Sequence, residues 1–136
     1  MQVIKIPYSP RPQQKMLHGK LDEYRFAVAV MHRRAGKTVF AINHLIKLAL
    51  TSQQKNFRGA FFSPTRVQSK LVAWDYLKEF SRKIPGVKFN ETELRADYPT
   101  GGRITLFGAE NPDSARGQYF DFVVCDEYAQ MDGRMF

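Results

Sequence analysis

The stretch that decides the fold is Arg25-Phe26-Ala27-Val28-Ala29-Val30-Met31-His32-Arg33-Arg34-Ala35-Gly36-Lys37-Thr38. Its first half is a short apolar run, the pattern of a strand buried on both faces. Its second half is a polar turn closing on Gly36-Lys37-Thr38. Residues 37–50 then carry Phe40, Ile42, Leu45, Ile46 and Ala49 as the apolar positions of a helix. Strand, turn and helix in this order form the context that a phosphate-binding loop requires. The loop amides and the helix N-terminus offer positive partial charge to phosphate oxygens. Lys37 is placed to reach the β- and γ-phosphates, and the Thr38 hydroxyl to hold Mg2+. The full pattern has a glycine five positions before Gly36; here Met31 stands there, with Arg33 and Arg34 inside the loop. A bland reading also fits these residues, in which Gly36 simply relaxes an ordinary strand-to-helix turn.

Outward from this stretch, strands and helices alternate. Gly59-Ala60-Phe61-Phe62 reads as a second buried strand, closed by Ser63-Pro64. A long amphipathic helix is expected over residues 65–84, with Val67, Leu71, Trp74, Leu77, Phe80 and Ile84 on one face. Pro85-Gly86 ends it. Residues 87–89 and 93–96 suggest a small hairpin, Gly101-Gly102 a turn, residues 103–107 a strand, and residues 108–118 a loop or short helix. Upstream, Pro7, Pro10 and Pro12 exclude a helix before residue 13, where a short one begins and runs to residue 20. The alternation predicts an α/β fold with a largely parallel sheet.

The last strand, residues 120–125, ends in Val123-Val124-Cys125-Asp126-Glu127. Carboxylates at a buried strand end cost free energy unless paired. In parallel α/β sheets the carboxyl ends of strands line the ligand crevice. Asp126 is therefore placed to hold Mg2+ through water, and Glu127 to activate an attacking water. A solvated acidic turn is the other reading. Together with the phosphate loop, in this order, the pair points to nucleoside triphosphate hydrolysis.

Composition sets bounds. The chain has 136 residues, 43% hydrophobic and 25% charged, as an ordinary single globular domain does. No apolar run reaches the ~18–20 residues of a membrane span, and the first residues carry no signal-peptide core. The one cysteine, Cys125, reads as a small buried strand residue; it excludes an internal disulfide and fits a cytosolic setting. His18, His32 and His44 lack metal-ligand spacing, so no metal beyond nucleotide-borne Mg2+ is read. The net charge is +8, and it is uneven: residues 1–60 hold 11 basic and 2 acidic side chains, residues 61–136 hold 10 and 11. A basic half favours a polyanionic partner, although solubilising lysines and arginines produce the same balance. Trp74 reads as core. Lys78, Arg82 and Lys83 form a basic helix end that suits the helix dipole.

With both motifs in place, the chain resembles the N-terminal ATPase domain of large terminase subunits, the motors that package double-stranded DNA into bacteriophage procapsids. Tyr8-Ser9-Pro10-Arg11-Pro12-Gln13-Gln14 resembles the family's adenine-recognising glutamine segment, with Gln14 the expected reader and Gln13 its neighbour. The Arg33-Arg34 loop resembles the family's loop, which commonly replaces the first glycine; by that resemblance Arg33 senses or stabilises the γ-phosphate, and Arg34, Ala35, Gly36, Lys37 and Thr38 contact the nucleotide. Ser63-Pro64-Thr65-Arg66 is similar to a corner of helicase-like motors. The run 107–117, Phe107-Gly108-Ala109-Glu110-Asn111-Pro112-Asp113-Ser114-Ala115-Arg116-Gly117, is similar to the segment before the family's acidic strand; in it Arg116 is a candidate arginine finger or sensor, or a surface arginine.

The resemblance implies a P-loop NTPase of the ASCE type, a three-layer sandwich incomplete at its C-terminus. It implies ATP and Mg2+ as cofactors, with Lys37, Arg33 and Glu127 catalytic and Thr38 and Asp126 at the metal. The implied partners are double-stranded DNA, portal protein and small terminase subunit, in a ring of identical copies in the host cytoplasm, with no membrane. It also implies an acidic strand at neither end of the sheet, with residues 103–107 as the candidate strand between it and the phosphate-loop strand. Residues 1–136 would be the N-terminal part of the ATPase domain, without the nuclease domain, so that the chain alone hydrolyses ATP poorly. Two other readings stay open. One is a DEAD-box-like helicase, whose loop usually carries glycine where Arg34 stands. The other is a non-catalytic nucleotide- or DNA-binding module.

Overall fold

The computed structural model describes residues 6–30, 36–52 and 56–127. Helix α1 (Pro12–Glu23) opens the chain, with a proline at its first position, where the missing N–H costs nothing. Helix α2 (Lys37–Thr51) follows, then strand β1 (Arg58–Ser63). A third helical stretch is continuous but irregular: α3 (Arg66–Ser69), a π turn (Lys70–Trp74) and α4 (Asp75–Ser81). The Thr65 hydroxyl caps it by accepting from the Gln68 N–H at 3.1 Å. Strands β2 (Lys88–Asn90), β3 (Arg95–Asp97), β4 (Arg103–Gly108) and β5 (Phe122–Cys125) complete it, with a 3-10 turn at Pro112–Ala115. No helix among the described residues is long and apolar enough to cross a membrane.

Among the described residues, five strands form one sheet in the order β2-β3-β4-β1-β5. β1 runs parallel to β4 and to β5, while β2 and β3 add an antiparallel hairpin beyond β4. Ile42, Leu45 and Ile46 of α2 meet Phe61, Ile104, Leu106, Trp74 and Leu77 in the main core on one face. The other face carries a smaller cluster of Ala60, Phe62 and Phe107, against which Phe120 and Cys125 pack. The apolar positions read for α2 are all buried.

Three expectations are corrected. Residues 26–30 are not a strand; Phe26 is 82% and Val30 95% exposed. The run lies across a groove of about 890 Å3 from β5, so the backbones do not meet at the ~4.8 Å spacing of a ladder. The acidic strand β5 stands at the end of the sheet, and residues 103–107 belong to β4, on the far side of β1 from it. The long helix does not keep one apolar face. Its π turn adds an extra residue, so the series rotates partway along: Trp74, Leu77 and Phe80 turn inward while Val67 and Leu71 face solvent.

Candidate functional site

Gly36 begins the site. It caps α2 in the left-handed conformation, φ 79°, which a residue without a Cβ adopts at no steric cost. Its carbonyl accepts from the Phe40 N–H at 3.0 Å and from Gln14 Nε2, also at 3.0 Å. A Cβ added at Gly36 would lie 2.5 Å from that Gln14 nitrogen. Gln14 is 3% exposed. Its Oε1 accepts from the Arg11 N–H at 2.8 Å. The glutamine singled out in the sequence thus braces the turn before α2 with both ends of its amide, and Gln13 is exposed. Arg33, Arg34 and Ala35, with Met31, lie outside the described residues.

The acidic end of β5 arrives from the other side. The Asp126 N–H donates to the Phe62 carbonyl at 2.9 Å, extending the parallel pairing one residue past Cys125. Glu127 follows with φ 55°, a left-handed position uncommon for a residue with a Cβ. Lys37, Thr38 and Asp126 line a single cavity of about 180 Å3, with His44 and Phe122 in its wall. Burial pushes the Asp126 carboxyl up from the usual carboxylate range; the Lys37 ammonium pulls it down. The lysine of the phosphate loop and the first acid of the pair therefore share one space and act on each other electrically. Among the described residues no group of three histidine, cysteine or acidic side chains gathers as a ready-made metal cluster.

The two segments read separately at Ser63-Pro64-Thr65-Arg66 and at residues 107–117 make one corner. The Ala109 N–H donates to the Ser63 carbonyl at 2.8 Å, and the Arg66 N–H to Glu110 Oε1 at 2.7 Å. Ser69 Oγ donates to the Phe107 carbonyl at 2.6 Å. Gly108 permits this approach, since a Cβ there would sit 2.1 Å from the Arg66 nitrogen. Arg116 is exposed and paired with Asp113 at 3.1 Å. Cys125 is half-buried, and burial pushes its thiol up.

One cluster carried no sequence signal. The His18 and His44 rings stack, with their Nδ1 atoms 2.8 Å apart, and the Tyr8 hydroxyl meets His18 Nε2 at 2.8 Å. Two such nitrogens form a hydrogen bond only when one carries a proton and the other does not. Burial, first of all, lowers both histidines, His44 to about 4. The pair ties α1 to α2 beside the cavity, together with the Lys47–Asp22 ion pair at 2.8 Å.

A family model described as terminase large subunit, T4likevirus-type, N-terminal, matches residues 30–134. Among solved structures, the chain is similar to the large terminase ATPase domain of Thermus phage P74-26, with a TM-score of 0.69 and 22% identity over 93% of this chain and 57% of that one. A mutant of the same domain gives 0.65 at 20% identity over the same shares. A large terminase from a thermophilic bacteriophage gives 0.62 at 19% identity over 76% of this chain and 27% of that one. The chain thus spans 57% of the length of the Thermus phage domain. No curated protein matches it. At these identities the structural likeness speaks for the fold, whereas the family model covers most of the sequence: the chain belongs to the family of terminase large subunits, in its T4-like N-terminal form.

Proposed function

We propose that this chain is the nucleotide-binding part of a viral DNA-packaging motor. ATP lies with its phosphates against Gly36, Lys37 and Thr38, at the positive end of α2, and Lys37 offsets their charge. The observation that carries the reading is the single cavity lined by Lys37, Thr38 and Asp126, which come from opposite ends of the sequence. A hydroxyl and one carboxylate suit Mg2+, which takes hard oxygen donors and is usually held by one or two carboxylates plus the substrate's phosphates. Thr38 and Asp126 would hold it, and the bound cation would neutralise charge building on the phosphate oxygens. Glu127 is positioned one residue beyond Asp126 to orient the attacking water. Arg33, Arg34 and Ala35 complete the loop by resemblance, with Arg33 at the γ-phosphate. Arg116 would have to exchange its Asp113 partner for a phosphate to act as a finger.

Hydrolysis would drive movement of double-stranded DNA, a polyanion that suits the basic first half of the chain. Family membership makes portal protein and a small terminase subunit the natural partners, in a ring of copies in the host cytoplasm. Residues 1–136 act in this scheme as the N-terminal part of the ATPase domain.

The test is equilibrium titration of the chain with a fluorescent ATP analogue and Mg2+. Lys37→Ala is expected to weaken binding at least about tenfold. Asp126→Asn should remove most of the Mg2+ dependence. Unchanged affinity in Lys37→Ala would overturn the proposal.

A further inference from the structure

Among the described residues the buried polar side chains are Gln14, Asn43, His44, Ser63, Ser69 and Ser81. All but one of them are paired. Gln14 holds the Gly36 carbonyl and His44 the His18 ring. Asn43 Nδ2 donates to the Val39 carbonyl at 2.9 Å, Ser69 Oγ to the Phe107 carbonyl at 2.6 Å, and Ser81 Oγ meets the Tyr98 hydroxyl at 2.7 Å. Ser63 Oγ is the exception: it is closed off from solvent and has no hydrogen-bond partner among the described residues. The other buried atom of this kind, Arg95 Nε, has the Asp97 carboxylate 3.3 Å away. A buried hydroxyl without a partner has given up water and received nothing in exchange, which native folds seldom tolerate without a use.

Strand alternation places this hydroxyl. Phe61 belongs to the main core under α2, and Phe62 to the cluster on the opposite face. Ser63, next on β1, therefore returns to the α2 face. On β5, Val124 packs on the main core and Cys125 on the other cluster, so Asp126 also takes the α2 face. The parallel register sets Phe62 against Cys125, and the bond from the Asp126 N–H to the Phe62 carbonyl carries the pairing one residue on. Ser63 and Asp126 are thus same-face neighbours on adjacent strands, whose backbones lie about 4.8 Å apart. A serine hydroxyl turns about one bond among staggered rotamers, so it can swing to such a neighbour without backbone movement. The Asp126 carboxylate accepts from the Glu127 N–H and lines the cavity that Lys37 and Thr38 share. A carboxylate offers about four acceptor sites, which leaves room for a hydroxyl.

We propose that Ser63 is a positioning residue for the Asp126 carboxylate, its hydroxyl donating to one carboxylate oxygen in the Mg-nucleotide complex so that the other stays aimed into the cavity. This rests on the reading of Thr38 and Asp126 as the residues that hold Mg2+, and the test separates the two. Binding of a fluorescent ATP analogue is followed as Mg2+ is titrated into chelator-treated protein, and urea melts are run on the nucleotide-free chain. Ser63→Ala should raise the half-saturating Mg2+ concentration at least about tenfold, the scale of losing a hydrogen bond to a metal-binding carboxylate. It should leave analogue affinity without Mg2+ unchanged. In the nucleotide-free chain it should leave the urea midpoint unchanged or higher, because the hydroxyl it removes is unpartnered there. A hydroxyl that serves only the fold would give the reverse: a lower urea midpoint and an unchanged Mg2+ requirement, and either result would overturn the proposal. Asp126→Asn is the control. If it raises the Mg2+ requirement and Ser63→Ala does not, the role of Ser63 falls and the metal reading stands. If neither variant changes the requirement, the metal reading falls and the role of Ser63 with it.

Discussion

Strand β1 and residues 25–30 are both short apolar runs, and they occupy opposite situations. β1 has a parallel neighbour on each side, α2 over one face and the Phe107 and Phe120 rings over the other. Its Phe61 is fully buried. Residues 25–30 have no ladder among the described residues, and Phe26, Val28 and Val30 are exposed on alternating positions. Apolarity is therefore common to both, and by itself it does not make a strand. A strand is a relation between backbones: β1 is one because β4 and β5 meet it on both edges. β5 has its second edge at the end of the sheet, facing the groove that separates it from residues 25–30.

The sharpest way to expose this difference is to truncate the centre. Phe61→Ala removes a ring from the middle of the main core. Phenylalanine-to-alanine changes at buried positions cost about 3–5 kcal/mol, a large share of a small domain's total stability of ~5–15 kcal/mol. A fall in the urea midpoint at unchanged m-value is expected. A loss below about 1 kcal/mol would mean that β1 is not the centre of the packing.

The next effect concerns what holds the chain just before residues 25–30. α1 is tied to α2 by His18 and His44, near the Tyr8 hydroxyl and the Lys47–Asp22 pair. The folded His44 stays neutral to about pH 4, against 6.5 for an ordinary histidine, mainly because burial penalises its charged form. His18 is shifted the same way. The unfolded chain then binds more protons than the folded one between about pH 4 and 6.5. Stability from this pair is complete above about pH 6.5 and is lost as the pH falls toward 4, by ~1–3 kcal/mol. Urea melts at pH 7 and pH 5 check this. His44→Phe should reduce the difference between them, whereas Asp22 and Glu91, whose carboxyls are held low by hydrogen bonds from Lys47 and Trp74, titrate in both proteins. An undiminished difference in the variant would assign the acid sensitivity elsewhere.

Legibility followed locality. Phe40, Ile42, Leu45, Ile46 and Ala49 are buried as read, because a helix settles its faces within a few residues. The hairpin at residues 88–97 and the strand ending at Cys125 were legible for the same reason. Lys37 and Asp126 were expected together on motif order, and they share a cavity. What escaped was non-local or depended on one inserted residue. Nothing in Val67, Leu71 and Trp74 announces a π turn, so the expected face splits there. Gln14 stood out in its segment, but its partner, the Gly36 carbonyl, is a backbone atom 22 residues away. His18 and His44 are 26 residues apart on two different helices. The order of strands in the sheet depends on which edges meet, and residues 103–107 carry no mark of the side of β1 they will take.

The smallest effect tests the comparison most directly. If residues 25–30 are as unsupported as their exposure indicates, Phe26→Ser removes a ring that already faces water, and the unfolding free energy from urea melts should change by no more than about 0.5 kcal/mol. Amide hydrogen exchange supplies the matching local readout. The amides of residues 26–30 should exchange close to the unprotected rate, because none of them sits in a ladder. Those of Ala60, Phe61 and Phe62, each between two neighbouring strands, should exchange only through opening of the sheet. Strong protection at residues 26–30, with a loss above about 1 kcal/mol in Phe26→Ser, would place the run inside a paired and packed environment and erase the contrast with β1. Protection that arises only on adding Mg-ATP would instead tie the ordering of this run to occupation of the cavity that Lys37 shares with Asp126, and Lys37→Ala should then abolish it.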